Sequence, residues 1–598
     1  MGLLSRAGRE LRYLRGLSGA LGAIRTVASD SPNLVPDDWE RVADLHGSRP
    51  ALSMDGQELT YAQTEALANR VAAWARALGL ERGDAVALVL PNRLDYVPLW
   101  LGLSKAGVIA ALVNYNLQGS ALCHCISVAG ARHVIVDGDT AAAVAAARGR
   151  MDAPLTVWGL DGADADQDLQ AALAGASEAR PDRAVRAGIT AGDTAMYIYT
   201  SGTTGLPKAA KVAHVKAQTY MRSFAGAMRT SPKDRVFIVL PLYHSTGGLV
   251  GVGAALMGGG TAILRKRFSA SSFWADVNAE RATLFVYIGE LCRYMVNQPE
   301  RPGERGHQLR AAFGNGLRPE VWERFQSRFA IPQVLEFYGA TEGNVSLVNF
   351  DGRPGSIGRV PNYLSKRFNV RLVRFDLATE QPMRGADGYC VPCPIGEVGE
   401  AIGQIGTEAR THYVGYAEGG AGKGESGRKV IEGAFEPGDR WFRTGDLMRQ
   451  DTDGYFYFVD RVGDTFRWKG ENVSTSEVAE ALSGAPGVKE ANVYGVDVPG
   501  AEGRAGMAAL VVGPQFDPAA LARHLEAELP AYARPLFLRL QPEIQTTGTF
   551  KYQKADLVAA GFDPARVGDP LLFRDGEAGY APLDGALHAR IVSGQLRL

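Results

Sequence analysis

A cluster of hydroxyls, glycines and one lysine follows the short apolar run Met196–Tyr199, and it reads Thr200-Ser-Gly-Thr-Thr-Gly-Leu-Pro-Lys208. Glycines let backbone N–H groups approach anionic oxygens, hydroxyls donate further hydrogen bonds, and a lysine balances charge. The spacing differs from the Gly-x-x-x-x-Gly-Lys-Ser/Thr pattern of the usual nucleoside-triphosphate loop. The segment therefore predicts a different loop that holds phosphates. Its candidate binding residues are Thr200, Ser201, Gly202, Thr203, Thr204, Gly205 and Lys208.

A second cluster, Tyr338-Gly-Ala-Thr-Glu-Gly343, comes at the end of the apolar run Val334–Tyr338. An aromatic ring, two glycines, a hydroxyl and a carboxylate at a strand end suit a nucleotide and its metal ion. Magnesium prefers oxygen ligands and is commonly held by one or two carboxylates together with substrate phosphates. Glu342 is therefore the candidate metal ligand.

These clusters must be positioned by a layered fold, because strand and helix patterns alternate through most of the chain. With 598 residues the chain is too long for one ordinary core, so more than one domain is expected. Alternation of this kind predicts α/β layers with parallel sheets, whose ligand loops follow the carboxyl ends of strands. From about Ser356 short strands and Gly/Pro turns predict a β-rich subdomain, and after Asp460-Arg461 a smaller α/β pattern runs to the end.

The N-terminal segment has the pattern of a basic amphipathic helix. Its apolar positions are Leu4, Leu11, Leu14, Leu21 and Ile24, and its basic positions are Arg6, Arg9, Arg12, Arg15 and Arg25. Such a helix can lie on an anionic membrane surface. It can equally pack on its own domain, and the sequence leaves both alternatives open.

Bulk properties narrow the class of protein. The net charge of -1 gives no general attraction to nucleic acid, and five cysteines do not indicate a disulfide scaffold. No secretory signal pattern is evident. The long uncharged stretch Val236–Leu264 contains a proline, a histidine and many glycines, so it predicts a strand, a polar turn and a short buried helix rather than a membrane span. A cytoplasmic location is expected, with peripheral attachment to the inner face of the cell membrane as an extension of it.

The loop and the motifs after it resemble the adenylate-forming superfamily, which contains acyl-CoA synthetases, luciferases and peptide-synthetase adenylation domains. The further motifs are Gly314-Asn-Gly-Leu-Arg318, Phe442-Arg-Thr-Gly-Asp-Leu447, Asp460-Arg461 and Gly548-Thr-Phe-Lys551. They come in that family's order and, with the phosphate loop, span most of the chain. Phe550 departs from the family's Ser-Gly-Lys pattern, and Gly463 stands where many relatives carry an acidic or lysine hinge residue.

This resemblance implies a role for each matching residue. Tyr338, with Gly339 and Ala340 beside it, would stack on adenine, which Gly314, Asn315 and Gly316 would also line. Thr341 would bind the α-phosphate, Glu342 the Mg²⁺ ion, and Asp446 with Arg461 the ribose. Lys551 would bridge the attacking carboxylate and the α-phosphate, although a shift of this role to Lys554 stays open. Trp468, Lys469 and Gly470 would lie beside the coenzyme A channel.

The stretch Tyr457–Glu477 resembles the signature of the fatty acid transport protein and very-long-chain acyl-CoA synthetase subfamily. The segments Leu240–Gly248 and Gly314–Arg318 take that subfamily's form too. The implied reaction joins a long or very long fatty acid to coenzyme A through an acyl-adenylate, with ATP and Mg²⁺, and it could be coupled to fatty acid uptake. A fatty acyl-AMP ligase that loads a carrier protein, and a membrane fatty acid transporter without ligase chemistry, are the alternatives. His244 is a further catalytic candidate, as a gate of the acyl channel or a neighbour of the thiol.

The implied fold is multi-domain α/β. A large domain, residues 31–460, would hold two α/β layered subdomains and a β-barrel-like one. A small mobile α/β domain, residues 461–598, would carry the catalytic lysine, and residues 1–30 would form the amphipathic helix. The run of small residues Gly247–Gly260 could line an acyl channel or serve close helix–sheet packing. The oligomeric state stays open, a homodimer being one alternative.

Overall fold

The structure is a computed structural model that describes residues 3–151, 153–200, 206–376, 379–417, 424–468, 471–499, 501, 503–546, 552–576 and 579–596. The chain forms two compact units. The large unit comprises residues 1–370, 403–443 and 453–456, and the small unit comprises residues 371–402, 444–452 and 457–598.

Helices and strands alternate as the sequence predicts. The α-helices are α1 (Leu3–Ile24), α2 (Val35–His46), α3 (Tyr61–Ala77), α4 (Tyr96–Lys105), α5 (Gly119–Val128), α6 (Ala141–Arg148), α7 (Leu169–Ala174), α8 (His214–Met228), α9 (Val252–Leu256), α10 (Phe273–Ala279), α11 (Gly289–Val296), α12 (Pro319–Phe329), α13 (Glu425–Arg428), α14 (Thr475–Ser483), α15 (Pro518–Glu528), α16 (Ala555–Ala560) and α17 (Gly585–Val592).

The strands fall into three groups along the chain. The first group is β1 (Pro50–Met54), β2 (Gln57–Thr60), β3 (Ala85–Val89), β4 (Ile109–Leu112), β5 (His133–Val136), β6 (Thr156–Gly159), β7 (Gln167–Asp168), β8 (Thr194–Thr200), β9 (Lys208–Ala213), β10 (Arg235–Ile238), β11 (Thr261–Leu264), β12 (Leu284–Ile288), β13 (Ala311–Asn315), β14 (Val334–Gly339) and β15 (Ser346–Asn349). The second is β16 (Gly358–Arg359), β17 (Val370–Val373), β18 (Phe375–Asp376), β19 (Gln381–Pro382), β20 (Val398–Gln404), β21 (Val430–Glu432), β22 (Arg440–Gln450) and β23 (Tyr455–Arg461). The third is β24 (Phe466–Trp468), β25 (Glu471–Val473), β26 (Val488–Asp497), β27 (Arg504–Val512), β28 (Phe537–Leu540), β29 (Leu571–Arg574) and β30 (Tyr580–Pro582).

Two mostly parallel sheets form the core of the large unit. One has the strand order β7-β6-β5-β3-β4-β8-β9 and the other β15-β14-β13-β12-β10-β11-β1-β2. Their central strands are apolar and buried along their length, as parallel strands covered on both faces must be. The phosphate-loop segment follows the carboxyl end of β8, and the two nucleotide-type motifs follow β13 and β14. The predicted α/β class with parallel sheets is confirmed.

Local sequence signals account for where several elements begin and end. Thr60 caps α3, because its side chain accepts from the Gln63 amide while the Gln63 side chain accepts from the Thr60 amide. The stretch Val236–Leu264 forms a strand, a turn, one π-helical turn (Thr246–Gly251), the short buried α9 and another strand. The strand, turn and buried helix predicted there are confirmed. Among the described residues, no helix is long and apolar enough to cross a membrane.

Helix α1 packs along α8 in the large unit. Tyr13 and Ile24 are buried on its inner face, and the Tyr13 hydroxyl donates to the Arg359 carbonyl at 2.9 Å. Its outer face is different: the Leu11 side chain is 70% exposed and Leu14 is 41% exposed. The helix therefore lies on its own unit while still presenting leucines outward.

The small unit has its own core and sheet. The sheet order is β26-β27-β28-β29-β30, and buried residues such as Leu510, Phe537 and Leu525 join it to helix α15. Strands β24 and β25 form a separate antiparallel pair. The predicted β-rich region is present as strands β16–β23, whose residues are divided between the two units.

Candidate active site

The ends of the phosphate loop are fixed by a strand pair. Thr200 ends β8 and Lys208 begins β9, and the two residues lie opposite each other in the antiparallel register. Beneath them, the Tyr199 hydroxyl donates to the Cys125 carbonyl at 2.6 Å. The candidates Ser201, Gly202, Thr203, Thr204 and Gly205 lie outside the described residues.

The Tyr338–Gly343 loop begins where β14 ends, so Thr341 and Glu342 follow the strand directly. The Thr341 hydroxyl is 3.1 Å from the Ser245 hydroxyl, which lies just before the π-helical turn. Tyr338 and Gly339 line one cavity together with Ser245, Thr246 and Asn315. Their shared cavity brings the two nucleotide-type motifs together with the segment after β10.

Two glycines of the loop that contains Gly314, Asn315 and Gly316 are required for different reasons, Gly314 by lack of space and Gly316 by its backbone conformation. A Cβ atom on Gly314 would lie 2.1 Å from the Tyr287 carbonyl oxygen, and Gly316 has a φ of +80°. Asn315 contacts the Thr246 hydroxyl through its Oδ1 atom at 3.5 Å. The glycines are therefore required by packing and backbone geometry at this strand end.

His244 lies in the turn before the π-helix. Its amide donates to the Pro241 carbonyl at 3.2 Å, and its ring lies against Tyr243 with a 4.3 Å centroid separation. The neighbouring Ser245 and Thr246 line the cavity described above. A catalytic role for His244 stays a prediction.

In the small unit, Asp446 and Arg461 are neighbours. Arg461 Nε lies 3.5 Å from Asp446 Oδ1, and the Asp446 carboxylate is mostly buried. Gly445 precedes Asp446 within β22 and has a φ of +74°, and the Glu400 carboxylate accepts from its amide at 3.1 Å. A buried carboxylate held this way can accept hydrogen bonds from a diol.

The other sequence candidates of the small unit are Trp468, Lys469, Gly470, Lys551 and its alternative Lys554. Trp468 is only 3% exposed and belongs to the unit's apolar core, and its place beside the coenzyme A channel stays a prediction. Lys469, Gly470 and Lys551 lie outside the described residues. Lys554, the alternative to Lys551, forms a salt bridge with Asp464 and donates a hydrogen bond to Thr475. Its Nζ lies 3.1 Å from Asp464 Oδ2 and 3.1 Å from Thr475 Oγ1.

Comparison with known proteins identifies the family. The model of the AMP-binding enzyme family matches residues 39–382, and that of the AMP-binding enzyme C-terminal domain matches residues 477–551. The chain belongs to the AMP-binding enzyme family. Long-chain fatty acid transport protein 1 of Homo sapiens is 44% identical over 576 residues, which cover 94% of this chain and 88% of that protein. Its Mus musculus counterpart is 42% identical over 574 residues, which cover 94% of this chain and 88% of that protein. The chain is therefore also a member of the fatty acid transport protein group.

Solved structures share the fold of this AMP-binding enzyme. ATP-bound MatB from Rhodopseudomonas palustris has a TM-score of 0.73 at 25% identity, covering 88% of this chain and 98% of that chain. A fatty acyl CoA synthetase from Mycobacterium tuberculosis has a TM-score of 0.62 at 24% identity, covering 88% and 98% respectively. The large domain and small C-terminal domain expected from the sequence match this fold.

Tyr416 is a site residue of this AMP-binding enzyme that the sequence did not reveal. Its hydroxyl donates to the Glu342 carboxylate and accepts from the Thr200 hydroxyl, and Lys208 Nζ lies 6.0 Å from its ring centroid. Burial, reinforced by the Glu342 charge, raises the pKa of Tyr416 well above its ordinary value. The ring thus joins both ends of the phosphate loop to the candidate metal ligand.

Lys216 on α8 is a second unforeseen site residue. Its Nζ donates to the carbonyls of Ala340, at 3.3 Å, and Gly343, which flank Thr341 and Glu342. Burial lowers the pKa of Lys216 to about 8, although the Glu342 carboxylate acts in the opposite direction. The ammonium group therefore holds both ends of the short segment that carries the candidate metal ligand.

The residues around Glu342 have the chemistry of a magnesium site that phosphates complete. The described residues contain no group of three or more His, Cys, Asp or Glu side chains that could hold a metal ion. A single carboxylate beside the phosphate loop is nevertheless a donor set that suits Mg²⁺ when phosphates complete the coordination. Glu342, with the Thr200 hydroxyl near it, fits that chemistry.

Glu336 supports the adenine-type loop from a buried strand position. Its carboxyl accepts from the amides of Leu317, at 3.0 Å, and Gly316, while the Tyr287 hydroxyl donates to it at 2.6 Å. Glu336 is only 1% exposed, and this burial raises its pKa to about 8. Glu336 is therefore a positioning residue for the Gly314–Gly316 loop.

We expect Glu336→Gln to flatten the pH dependence of folding stability. The folded pKa of about 8 lies above the ordinary 4.5, so the folded protein binds this proton more tightly than the unfolded chain. The resulting stabilisation is complete below the unfolded pKa and is lost as the pH rises through the folded pKa. Thermal melts between about pH 5 and about pH 9 should show a larger fall in Tm for the wild type.

The exposed Glu323 provides the control for this experiment, because Glu323→Gln changes the same group without the buried contacts. It should reproduce the wild-type curve. Parallel curves for wild type and Glu336→Gln would show that Glu336 does not hold a proton in this range.

Proposed function

We propose that this AMP-binding enzyme is an ATP-dependent ligase that joins long or very long fatty acids to coenzyme A. One structural observation carries the chemistry: Thr200, Tyr416 and Glu342 form one hydrogen-bonded cluster at the phosphate loop. The fatty acid substrate is supported by 44% identity to a protein named for long-chain fatty acid transport.

The reaction has two half-reactions. In the first, a carboxylate oxygen of the fatty acid attacks the α-phosphorus of ATP, and the bond from that phosphorus to pyrophosphate breaks. Thr200 and Lys208 hold the phosphates, Thr341 contacts the α-phosphate, and Lys551 stabilises the negative charge that develops there. A bound magnesium ion, for which Glu342 is the ligand, supplies charge neutralisation at the phosphates.

In the second half-reaction, the coenzyme A sulfur attacks the acyl carbonyl carbon and AMP leaves with the former carboxylate oxygen. The acyl-adenylate is a mixed anhydride, so the site must exclude water between the two steps. Asp446 and Arg461 hold the ribose hydroxyls throughout. Gly463 has a φ of +91°, and apart from its chain neighbours no described residue has an atom within 4 Å of its Cβ position, so it is the pivot candidate between the steps.

Incubation of the purified protein with ATP, palmitate and coenzyme A tests this function. Palmitoyl-CoA, AMP and pyrophosphate should form in equal amounts. Without coenzyme A, acyl-AMP should accumulate only to about one molecule per enzyme molecule, because the intermediate stays bound. Acyl-AMP without acyl-CoA would instead support the ligase that loads a carrier protein. Acids from acetate to very long chains should show a clear optimum, because each buried methylene is worth roughly 0.8 kcal/mol.

A transporter without ligase chemistry is the second candidate, because the relatives are named fatty acid transport proteins. We propose instead that uptake follows from esterification, which traps the fatty acid as its charged thioester. Uptake by cells that express a ligase-inactive variant separates the two functions: it falls with ligase activity under our proposal and persists for a transporter.

The outer face of α1 supports a peripheral contact with an anionic membrane. It combines the exposed Leu11 and Leu14 with the exposed Arg12 and Arg15, a pattern that favours the interface of anionic lipid. The double variant Leu11→Ser with Leu14→Ser should reduce cosedimentation with phosphatidylserine vesicles. Leu45→Ser, at another exposed leucine of the large unit, is the control. Unchanged cosedimentation of the double variant would remove α1 as the contact.

A further inference from the structure

A cavity within the large unit reaches helix α1. On one side it is lined by the strand-end residues Asn315, Tyr338 and Gly339, and on another by Tyr13, Leu17 and Ile24 of α1. The same space thus borders the candidate catalytic loop, in the middle of the sequence, and the N-terminal helix α1. The space beside the loop is therefore continuous with the space beside α1.

The α1 wall of this cavity is one helical face. Its lining residues are Tyr13, Leu17, Ala20, Leu21 and Ile24, which recur at the spacing of one stripe. Facing lining residues such as Phe224, Phe337 and Val348 are also apolar. Polar lining residues include Lys216 and His412, and Lys216 contacts the Tyr338–Gly343 loop. Arg359 also lines the cavity and lies over the Tyr13 ring, 5.1 Å from its centroid. The part of the α1 side suited to a hydrocarbon is therefore the stretch from Leu17 to Ile24, and the loop side is suited to an anion.

Helix α1 is fixed closely enough to act as a wall. A Cβ atom on Gly19 would lie 2.4 Å from the Gly226 carbonyl oxygen, and one on Gly226 would lie 2.3 Å from that of Gly19. The Tyr13 ring also packs edge-on against Phe350, at a 5.8 Å centroid separation. The backbone contact between Gly19 and Gly226 sets the distance between α1 and α8, and hence the width of the cavity beside the two helices.

The glycine-rich run after β10 does not supply this lining. A Cβ atom on Gly248 would lie 2.1 Å from the Leu242 carbonyl oxygen, and one on Gly253 would lie 2.3 Å from the Met221 Cα atom. Of the two alternatives for the run Gly247–Gly260, the contacts favour close packing. Only Val250 of this run borders the cavity.

We propose that the alkyl chain of the fatty acid lies in this cavity against α1, and that Leu17, Ala20 and Leu21 set the preferred chain length. The proposal rests on the fatty acid ligase function argued above and names the residues that determine its selectivity for acyl-chain length. A longer chain gains about fourfold in binding for each methylene buried, until it meets the α1 wall.

Chain-length profiles of α1 variants test the proposal. Ala20→Phe adds a ring on the lining face, so the kcat/KM ratio of palmitate to octanoate should fall by about tenfold or more while octanoate turnover stays near the wild-type value. Leu17→Ala should move the optimum toward longer acids. Ser18→Ala, at an exposed position of the same helix that does not line the cavity, is the matched control and should leave the ratio unchanged. An unaltered ratio in folded Ala20→Phe, or an equal loss for both acids, would overturn the proposal.

A binding experiment separates this proposal from the ligase function. Palmitate with a photoreactive diazirine at its methyl end should label peptides of α1 in the wild type, and Ala20→Phe should reduce that labelling. Labelling confined to other parts of the chain would refute the α1 site even in an active ligase. If α1 is labelled but no acid yields acyl-CoA, the ligase function fails and the chain-binding site stands.

Discussion

Lys551→Ala is expected to lower the rate of acyl-adenylate formation by about 10²–10³-fold, the loss typical of removing one preorganised charge-stabilising donor. The α-phosphate gains negative charge as the carboxylate attacks it, and the resemblance assigns Lys551 to that position. ATP binding should change little, because the phosphate loop and Asp446 are untouched. Exchange of labelled pyrophosphate into ATP, dependent on added palmitate, measures this half-reaction alone.

Lys554→Ala is the matched control for this prediction. Lys554 pairs with Asp464 and contacts Thr475 within the small unit. Because both partners are local, its loss should cost little in adenylate formation. The reverse pattern, with Lys554→Ala inactive and Lys551→Ala active, would reassign the catalytic lysine by three positions.

A second readout shows that Lys551→Ala acts on one step. Chemically prepared palmitoyl-AMP bypasses the first half-reaction, so the variant should still convert it to palmitoyl-CoA at a rate within about tenfold of the wild type, because an interaction made only in the first transition state is not required. An equal loss in both half-reactions would point instead to a general structural role.

The fold was predictable from the sequence because its signals are local. Alternating strand and helix patterns, the capping box at Thr60 and the apolar strands each depend on residues near one another in the chain. The loops that carry chemistry were found for the same reason, since their glycines, hydroxyls and carboxylates are contiguous. The packing of α1 on α8 depends on a contact between Gly19 and Gly226, and no local pattern reports such a contact.

The supporting residues of the site were not predictable for a related reason. Tyr416 and Lys216 meet the Glu342 segment only through tertiary structure, and a lone tyrosine or lysine gives no signal of such a partner. The role of Glu336 was not predictable for a different reason. It lies inside the apolar strand β14, where a single ionisable residue does not by itself indicate a partner. Its role becomes visible only when the amides of Gly316 and Leu317 are seen to point at its carboxyl.

Glu342→Gln should reduce adenylate formation by about 10²-fold or more at ordinary magnesium concentrations, because a neutral amide is a far weaker ligand for Mg²⁺ than a carboxylate. The loss should be partly reversed as magnesium is raised, since weaker binding is offset by mass action. Palmitate-dependent pyrophosphate exchange across a magnesium titration measures both effects. A rate loss that magnesium does not relieve at any concentration would argue that Glu342 is not the ligand.

Tyr416→Phe distinguishes the charge of Glu342 from its positioning. The variant removes the hydroxyl that bonds Glu342 and Thr200 but keeps the ring beside Lys208. One lost neutral-to-charged hydrogen bond is worth about 1.5–3 kcal/mol, so activity should fall roughly ten- to a hundredfold, less than for Glu342→Gln. The magnesium dependence should shift only slightly, because the carboxylate remains. A Tyr416→Phe loss as large as that of Glu342→Gln would mean that the site depends on the hydroxyl itself rather than on the charge it orients.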